Sequence, residues 1–186
     1  MKIIETPIKD LKIIEPEVFG DNRGYFLEAF NQKKFEDLGL NYNFVQDNES
    51  MSTFGVLRGL HYQLEPHAQT KLVRVINGSV FDVAVDLRKG SPTFAKWFGI
   101  ELSGVNKKQF LIPRGFGHGF VVLSKEAIFQ YKCDEFYYPE YERGIIFNDP
   151  IINIDWKLEE KDIHLSEKDN ELLILSESDN NFIYTR

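Results

Sequence analysis

Residues 71–87, KLVRVINGSVFDVAVDL, are the stretch whose reading decides the fold. KLVRVI and VFDVAVDL are β-branched runs, and the turn residues Asn77, Gly78 and Ser79 lie between them, so the segment reads as a β-hairpin. On the return strand Phe81, Val83, Val85 and Leu87 alternate with Asp82, Ala84 and Asp86, which makes one face apolar. On the outgoing strand Lys71, Val73 and Val75 share a face. A three-residue loop places Val75 opposite Phe81, Val73 opposite Val83 and Arg74 opposite Asp82, the register that satisfies both faces. Lys71 then falls on the apolar face, where an ammonium group is costly unless an anion meets it. The alternative is an edge lysine whose stem lies on the sheet and whose head reaches water.

Just upstream, GVLRGLHYQLEPHAQT (55–70) carries Arg58, His61 and Gln63. Several polar groups converging on one apolar pocket describe a ligand site. Arg58 and His61 differ in strand parity, so both face one pocket only if Gly59 permits a bulge. Farther upstream, residues 2–18 alternate short apolar runs with Pro7 and Pro16, as edge or inter-subunit strands do. FGDNRG (19–24) reads as a turn and YFLEAF (25–30) as a strand. Asn31 suits the N-cap of a short helix closed by Gly39. Downstream, strands are expected within 90–102, 109–124 and 127–138, the second of them hinged on Pro113-Arg114-Gly115. Many short strands with turn signals every ~8–12 residues indicate a sandwich or jelly roll with few, peripheral helices. One domain spans 1–186; residues 2–18 are expected to pair across a dimer, and a segment of about 160–186 to be helical.

Composition narrows the function. Hydrophobic residues make up 42% of the 186, and 16 Phe with 8 Tyr favour a packed β interior. A net charge of −7 argues against binding a nucleic-acid backbone. A single cysteine, Cys133, gives neither a disulfide framework nor a Cys-rich zinc site. The N-terminal MKIIETPIKD has no apolar signal region, and no stretch is long enough to span a bilayer, so a cytoplasmic protein without membrane contact is expected.

Pro113-Arg114-Gly115-Phe116-Gly117-His118 has the P-x-G-x-x-H spacing of the second cupin motif, and His61-Tyr62-Gln63 fills the H-x-H slot of the first. Lys71, seven residues before Gly78, takes the place of the usual glutamate. An amide for an imidazole and a cation for a carboxylate make a poor metal site. The pocket is therefore expected to be metal-free, which disfavours a metal-dependent cupin oxygenase.

A closer resemblance covers nearly the whole chain. The blocks DNRGYFLEAF, VQDNESMS, GVLRGLHYQ, AQTKLVRVINGSVFDVAVDLRKGSPTF, IPRGFGHGF, YKC, ERGI, NDP and LSEKD resemble, in order and spacing, the dTDP-4-dehydrorhamnose 3,5-epimerase family. The resemblance implies a cupin-type jelly roll, a homodimer, no cofactor, and inversion of C3 and C5 of dTDP-4-dehydro-6-deoxy-D-glucose. It implies His61 as base, Asp169 orienting it, Lys71 beside the enolate and Tyr131 as proton donor. It further implies a substrate-binding set of Arg23, Phe26, Glu28, Gln46, Asp47, Asn48, Arg58, Lys71, His118, Glu142 and Lys168. Other readings stand beside these. Ser166-x-x-Asp169 is also a helix capping box. Tyr131 shares a strand face with Phe129 and Cys133, as a core aromatic would, and Glu28, Asp47 and Glu142 suit solvated surface charges. A mono-epimerase would carry the same residues, and a non-catalytic sugar-nucleotide-binding cupin would lack His61 or Tyr131. The family's usual Trp-Pro after NDP is Trp156-Lys157 here.

Overall fold

The computed structural model describes residues 1–185. In chain order its elements are β1 (Lys2–Glu5), β2 (Lys12–Glu15), β3 (Val18–Asp21), β4 (Gly24–Leu27), α1 (Gln32–Asp37), β5 (Gln46–Thr53), β6 (Leu57–Gln63) and β7 (Lys71–Asn77). They continue with β8 (Ser79–Asp86), β9 (Trp97–Ser103), β10 (Gln109–Ile112), β11 (Phe116–Val122), β12 (Glu126–Cys133), β13 (Glu142–Gly144) and α2 (Glu167–Asn170). One sheet runs β1-β2-β10-β7-β12-β5 and the other β13-β6-β11-β8-β9. Every strand pair is antiparallel, and the two sheets face each other as a jelly roll.

The central segment is no hairpin. β7 hydrogen-bonds to β10 and β12, whereas β8 hydrogen-bonds to β11 and β9, so the chain crosses from one sheet to the other at Asn77-Gly78-Ser79. The proposed pairings of Val75 with Phe81 and Arg74 with Asp82 do not form. Alternation says which side chains share a face, but not which sheet the strand joins. The corner is tight: Gly78 has φ +78°, and a Cβ there would lie 2.0 Å from the Glu126 carbonyl oxygen.

The crossing also reverses the expected environment of β8. Val73 and Val75 pack in the barrel interior with Val80, Ala84, Phe120 and Phe129. Phe81, Val83, Val85 and Leu87 point the other way, into a second core roofed by Ile145, Phe147, Trp156, Leu175 and Phe182 of the C-terminal segment. β8 is therefore buried on both faces, and its inward face is the one that carries Asp82. Between the layers, the rings of Phe120 (β11) and Phe129 (β12) stack with centroids 4.2 Å apart.

Helix α1 starts as expected, with the Asn31 side chain accepting from the Lys34 N–H, and lays Phe35 on the outside of the larger sheet against Ile14, Leu72 and Leu111. The C-terminal segment differs from expectation. It is helical only in a turn at Glu160–Asp162 and in α2, and otherwise runs irregularly as the roof of the second core. β3 and β4 pair only with each other and form an arm whose Val18, Phe19, Tyr25 and Phe26 are 45–67% exposed. Among the described residues no helix is long and apolar enough to cross a membrane.

Candidate active site

The barrel interior opens into a cavity of about 390 Å³ between the two sheets. β6 and β11 bring His61 and His118 to its wall at facing positions. Arg58 joins them because the β6–β11 register shifts by a residue at Gly59, as the parity argument required. Gly59 has φ +113°, and a Cβ there would meet the His118 carbonyl oxygen at 2.5 Å. Only glycine fits such a bulge.

His61 is tied to α2. Its Nε2 lies 2.5 Å from Asp169 Oδ1, and Asp169 Oδ2 accepts from Ser166 Oγ at 2.8 Å. Ser166 also accepts from the Asp169 N–H at 3.1 Å, so Asp169 belongs to the helix cap and contacts His61 at once. Burial pushes the Asp169 carboxyl up. The His61 hydrogen bond and charge, Ser166 and the Gly59 N–H outweigh it and hold the pKa below the usual carboxylate value. An ionised carboxylate only accepts, so Nε2 carries the proton and Nδ1 keeps its lone pair. That is the arrangement of a general base.

The opposite wall comes from the larger sheet. β7 contributes Lys71 and β12 contributes Tyr131, with the Lys71 ammonium 5.9 Å from the centre of the Tyr131 ring. Among the described residues Lys71 has no ion-pair partner within 4.0 Å. Desolvation lowers its pKa against the opposing fields of Cys133, Glu142 and Asp82. Burial raises the Tyr131 phenol above its ordinary value, so the hydroxyl keeps its proton. Asn48 (β5) and Lys168 (α2) complete the rim.

Beneath the cavity lies a residue that sequence reasoning missed. Asp82 is fully buried on the inward face of β8, with both carboxylate oxygens 3.0 Å from His118 Nε2. The signal was present: VFDVAVDL is an otherwise apolar strand interrupted by two aspartates. It was misread as the outer face of a hairpin.

Several expected residues stand elsewhere. Gln63 does not reach the cavity. Its Nε2 donates to the His67 and Phe136 carbonyls at 2.6 and 3.1 Å, and its Oε1 accepts from the Tyr138 N–H at 2.7 Å. Its amide is used up in pinning the 134–138 loop. Asp47 points outward from β5 and pairs with Lys132 at 2.6 Å, away from the cavity. Gln46 faces inward but contacts Asn48 and the Tyr137 N–H, not the cavity itself. Arg23 and Phe26 sit on the exposed arm, where Arg23 pairs with Asp21 at 2.5 Å. Glu28 follows the arm and bonds Lys34 and Asn31. Glu142 borders the cavity through Lys168, whose ammonium is 2.5 Å from Glu142 Oε2; the same oxygen accepts from Tyr137 at 2.5 Å. That bond, helped by burial, pushes the Tyr137 phenol up to about 12.

The donors do not suit a metal. A lysine and a committed amide occupy two of the positions where a cupin ion would need ligands. Among the described residues no three His, Cys, Asp or Glu side chains converge. The cavity instead sets two histidine–carboxylate pairs against a half-buried ammonium and a half-buried phenol.

Comparison with known proteins bears on this geometry. The family model described as dTDP-4-dehydrorhamnose 3,5-epimerase matches residues 5–177. A protein of that name from Shigella flexneri is 59% identical over 170 residues, which cover 91% of this chain and 93% of that one. The crystal structure of dTDP-6-deoxy-D-glucose-3,5-epimerase from Legionella pneumophila in complex with dTDP-4-keto-L-rhamnose superposes with a TM-score of 0.91 at 55% identity, over 95% of this chain and 93% of that one. A 3'-monoepimerase from Streptomyces bikiniensis, in complex with dTDP-quinovose, superposes with a TM-score of 0.84 at 30% identity, over 92% and 86%.

Proposed function

The chain belongs to the dTDP-4-dehydrorhamnose 3,5-epimerase family, and from that premise we propose how its cavity works. The protein is an epimerase of a dTDP-4-keto-6-deoxy sugar, inverting C3 and C5 of dTDP-4-dehydro-6-deoxy-D-glucose to give dTDP-4-dehydro-L-rhamnose. The ketone acidifies the protons on its two neighbouring carbons, so each inversion is a deprotonation to an enolate followed by protonation from the other face. No electrons change hands, and the reaction asks only for a base, an anion stabiliser and an acid.

The observation that carries the assignment is the division of labour between the sheets. His61, on the smaller sheet, offers Nδ1 as the base while Asp169 stabilises the imidazolium that forms. Tyr131, on the larger sheet, offers a protonated hydroxyl from the other side. Lys71, beside Tyr131, meets the oxyanion, and its poor solvation makes that charge more effective than it would be in water. Arg58 at the mouth suits the diphosphate, because a guanidinium fork matches phosphate oxygens.

The remaining nucleotide contacts come from a second copy. Arg23 and Phe26 lie on the protruding arm and not in their own chain's cavity, and the arm's Val18, Phe19, Tyr25 and Phe26 are exposed. A homodimer that seats each arm over the partner's cavity buries these side chains and delivers Arg23 to the diphosphate. Proton NMR of the substrate in deuterated water tests the reading. Exchange at both C3 and C5 with formation of the L-rhamno product is expected. Exchange at one carbon would make the chain a mono-epimerase, and exchange at neither a binding protein.

A further inference from the structure

Two histidine–carboxylate pairs flank the cavity, and only the first has a part in the scheme above. The second is built differently. Asp169 is held by His61, Ser166 and a backbone N–H at the cavity's edge. Asp82 is wholly enclosed, and among the described residues its one hydrogen-bonding partner is His118. His118 is itself only 8% exposed and keeps its place on the cavity wall. Its ring lies near-parallel to that of Phe129, with centroids 6.2 Å apart, so it is held by packing as well as by the carboxylate.

We propose that Asp82 is a positioning residue for the enolisation: it fixes the His118 ring with Nε2–H turned into the barrel wall and Nδ1 toward the substrate. The inference rests on the epimerase reading and deepens it. A lone carboxylate in an apolar interior is a poor contributor to stability unless its charge is used. Here the charge has a use. A carboxylate can only accept from Nε2, so the tautomer of His118 is set before substrate arrives. His118 shares the cavity with Glu49, Arg58, His61, Lys71, Tyr131, Lys168 and Asp169, while Asp82 on β8 lies behind it. Among the described residues, Asp82 is the one whose oxygens hydrogen-bond to the ring.

The test has two arms. In the wild-type, substrate-free protein, ¹⁵N NMR of labelled histidine, with His118 assigned by the peak missing in His118→Gln, should show the proton on Nε2. A proton on Nδ1 alone would overturn the proposal whatever the enzyme's activity. In Asp82→Asn, kcat should fall at least about tenfold with little change in KM, as when the carboxylate behind a catalytic histidine is lost. A kcat within about twofold of wild type would overturn it as well. Failure of C3 and C5 exchange in the wild-type enzyme would instead overturn the epimerase reading, and the tautomer measurement stands apart from that result.

Discussion

Tyr131 faces His61 across the barrel, the one carried by β12 of the six-stranded sheet and the other by β6 of the five-stranded sheet. Neither wall alone could invert a carbon centre. A base and an acid on the same side return the proton to the face it left.

Separate substitutions should therefore separate the two steps. His61→Asn removes the proton acceptor, and exchange of the C3 and C5 protons with solvent should fall by about 10²–10⁴-fold, the usual worth of a positioned base. Tyr131→Phe keeps the base and the ring. Deuterium should still enter the substrate while the inverted product fails to appear. NMR time courses in deuterated water read both, and near-wild-type exchange in His61→Asn would reassign the base.

Gly59→Ala should damage both stability and activity. The new methyl would sit 2.5 Å from the His118 carbonyl oxygen and 2.7 Å from the Gly119 Cα, at a φ that disfavours any side chain. A loss of roughly 2–4 kcal/mol in denaturant unfolding is expected. The bulge is also what turns both Arg58 and His61 inward. The surviving folded protein should therefore have a kcat/KM below that of wild type at equal folded concentration.

Mixing two inactive proteins should restore activity if the arm serves its partner. Arg23→Ala has an intact base, and His61→Asn has an intact arm. Co-expressed, they form mixed dimers with one complete cavity each, so about a quarter of wild-type activity should return under random pairing. An arm that serves its own cavity would give none.

Asp82→Asn should melt at a higher temperature than wild type near neutral pH. Desolvation raises the Asp82 carboxyl above its ordinary value, against the opposing pull of His118 and Lys71. A carboxyl whose folded pKa exceeds its unfolded pKa binds a proton more tightly in the folded state. Its ionised form thus costs stability at high pH, and that cost fades as pH falls through the folded pKa. The gap in melting temperature should accordingly narrow on acidification. A variant that melts lower than wild type by the same margin at every pH would contradict this.

Much of this arrangement was legible in the residues. Strand-length runs, the Asn31 cap and the parity conflict resolved at Gly59 all follow from local chemistry, and the structure keeps them. Lys71, His61, Tyr131 and Asp169 were placed together by their motifs, and they do line one cavity. What escaped depends on which sheet a strand joins. A two-residue period cannot distinguish a hairpin from a corner, so β7 and β8 were paired with each other and Asp82 was assigned an Arg74 partner it does not have. Gln63 escaped for a related reason. Its parity is right, but the loop it holds arrives some 70 residues later in the chain, and nothing local announces it.

The stacked pair of Phe120 and Phe129 has a role beyond filling space. Phe120 lies two residues past His118 on one sheet, and Phe129 two residues before Tyr131 on the other, with ring centroids 4.2 Å apart. The thickness of two aromatic rings is thereby a calliper between β11, which pairs with the strand of the proposed base, and β12, which carries the proposed acid. Proton removal needs only one jaw of it; inversion needs both at the right opening. A barrel that breathes, through heat or through a smaller side chain at either position, would lose stereochemical fidelity before it lost the power to exchange protons.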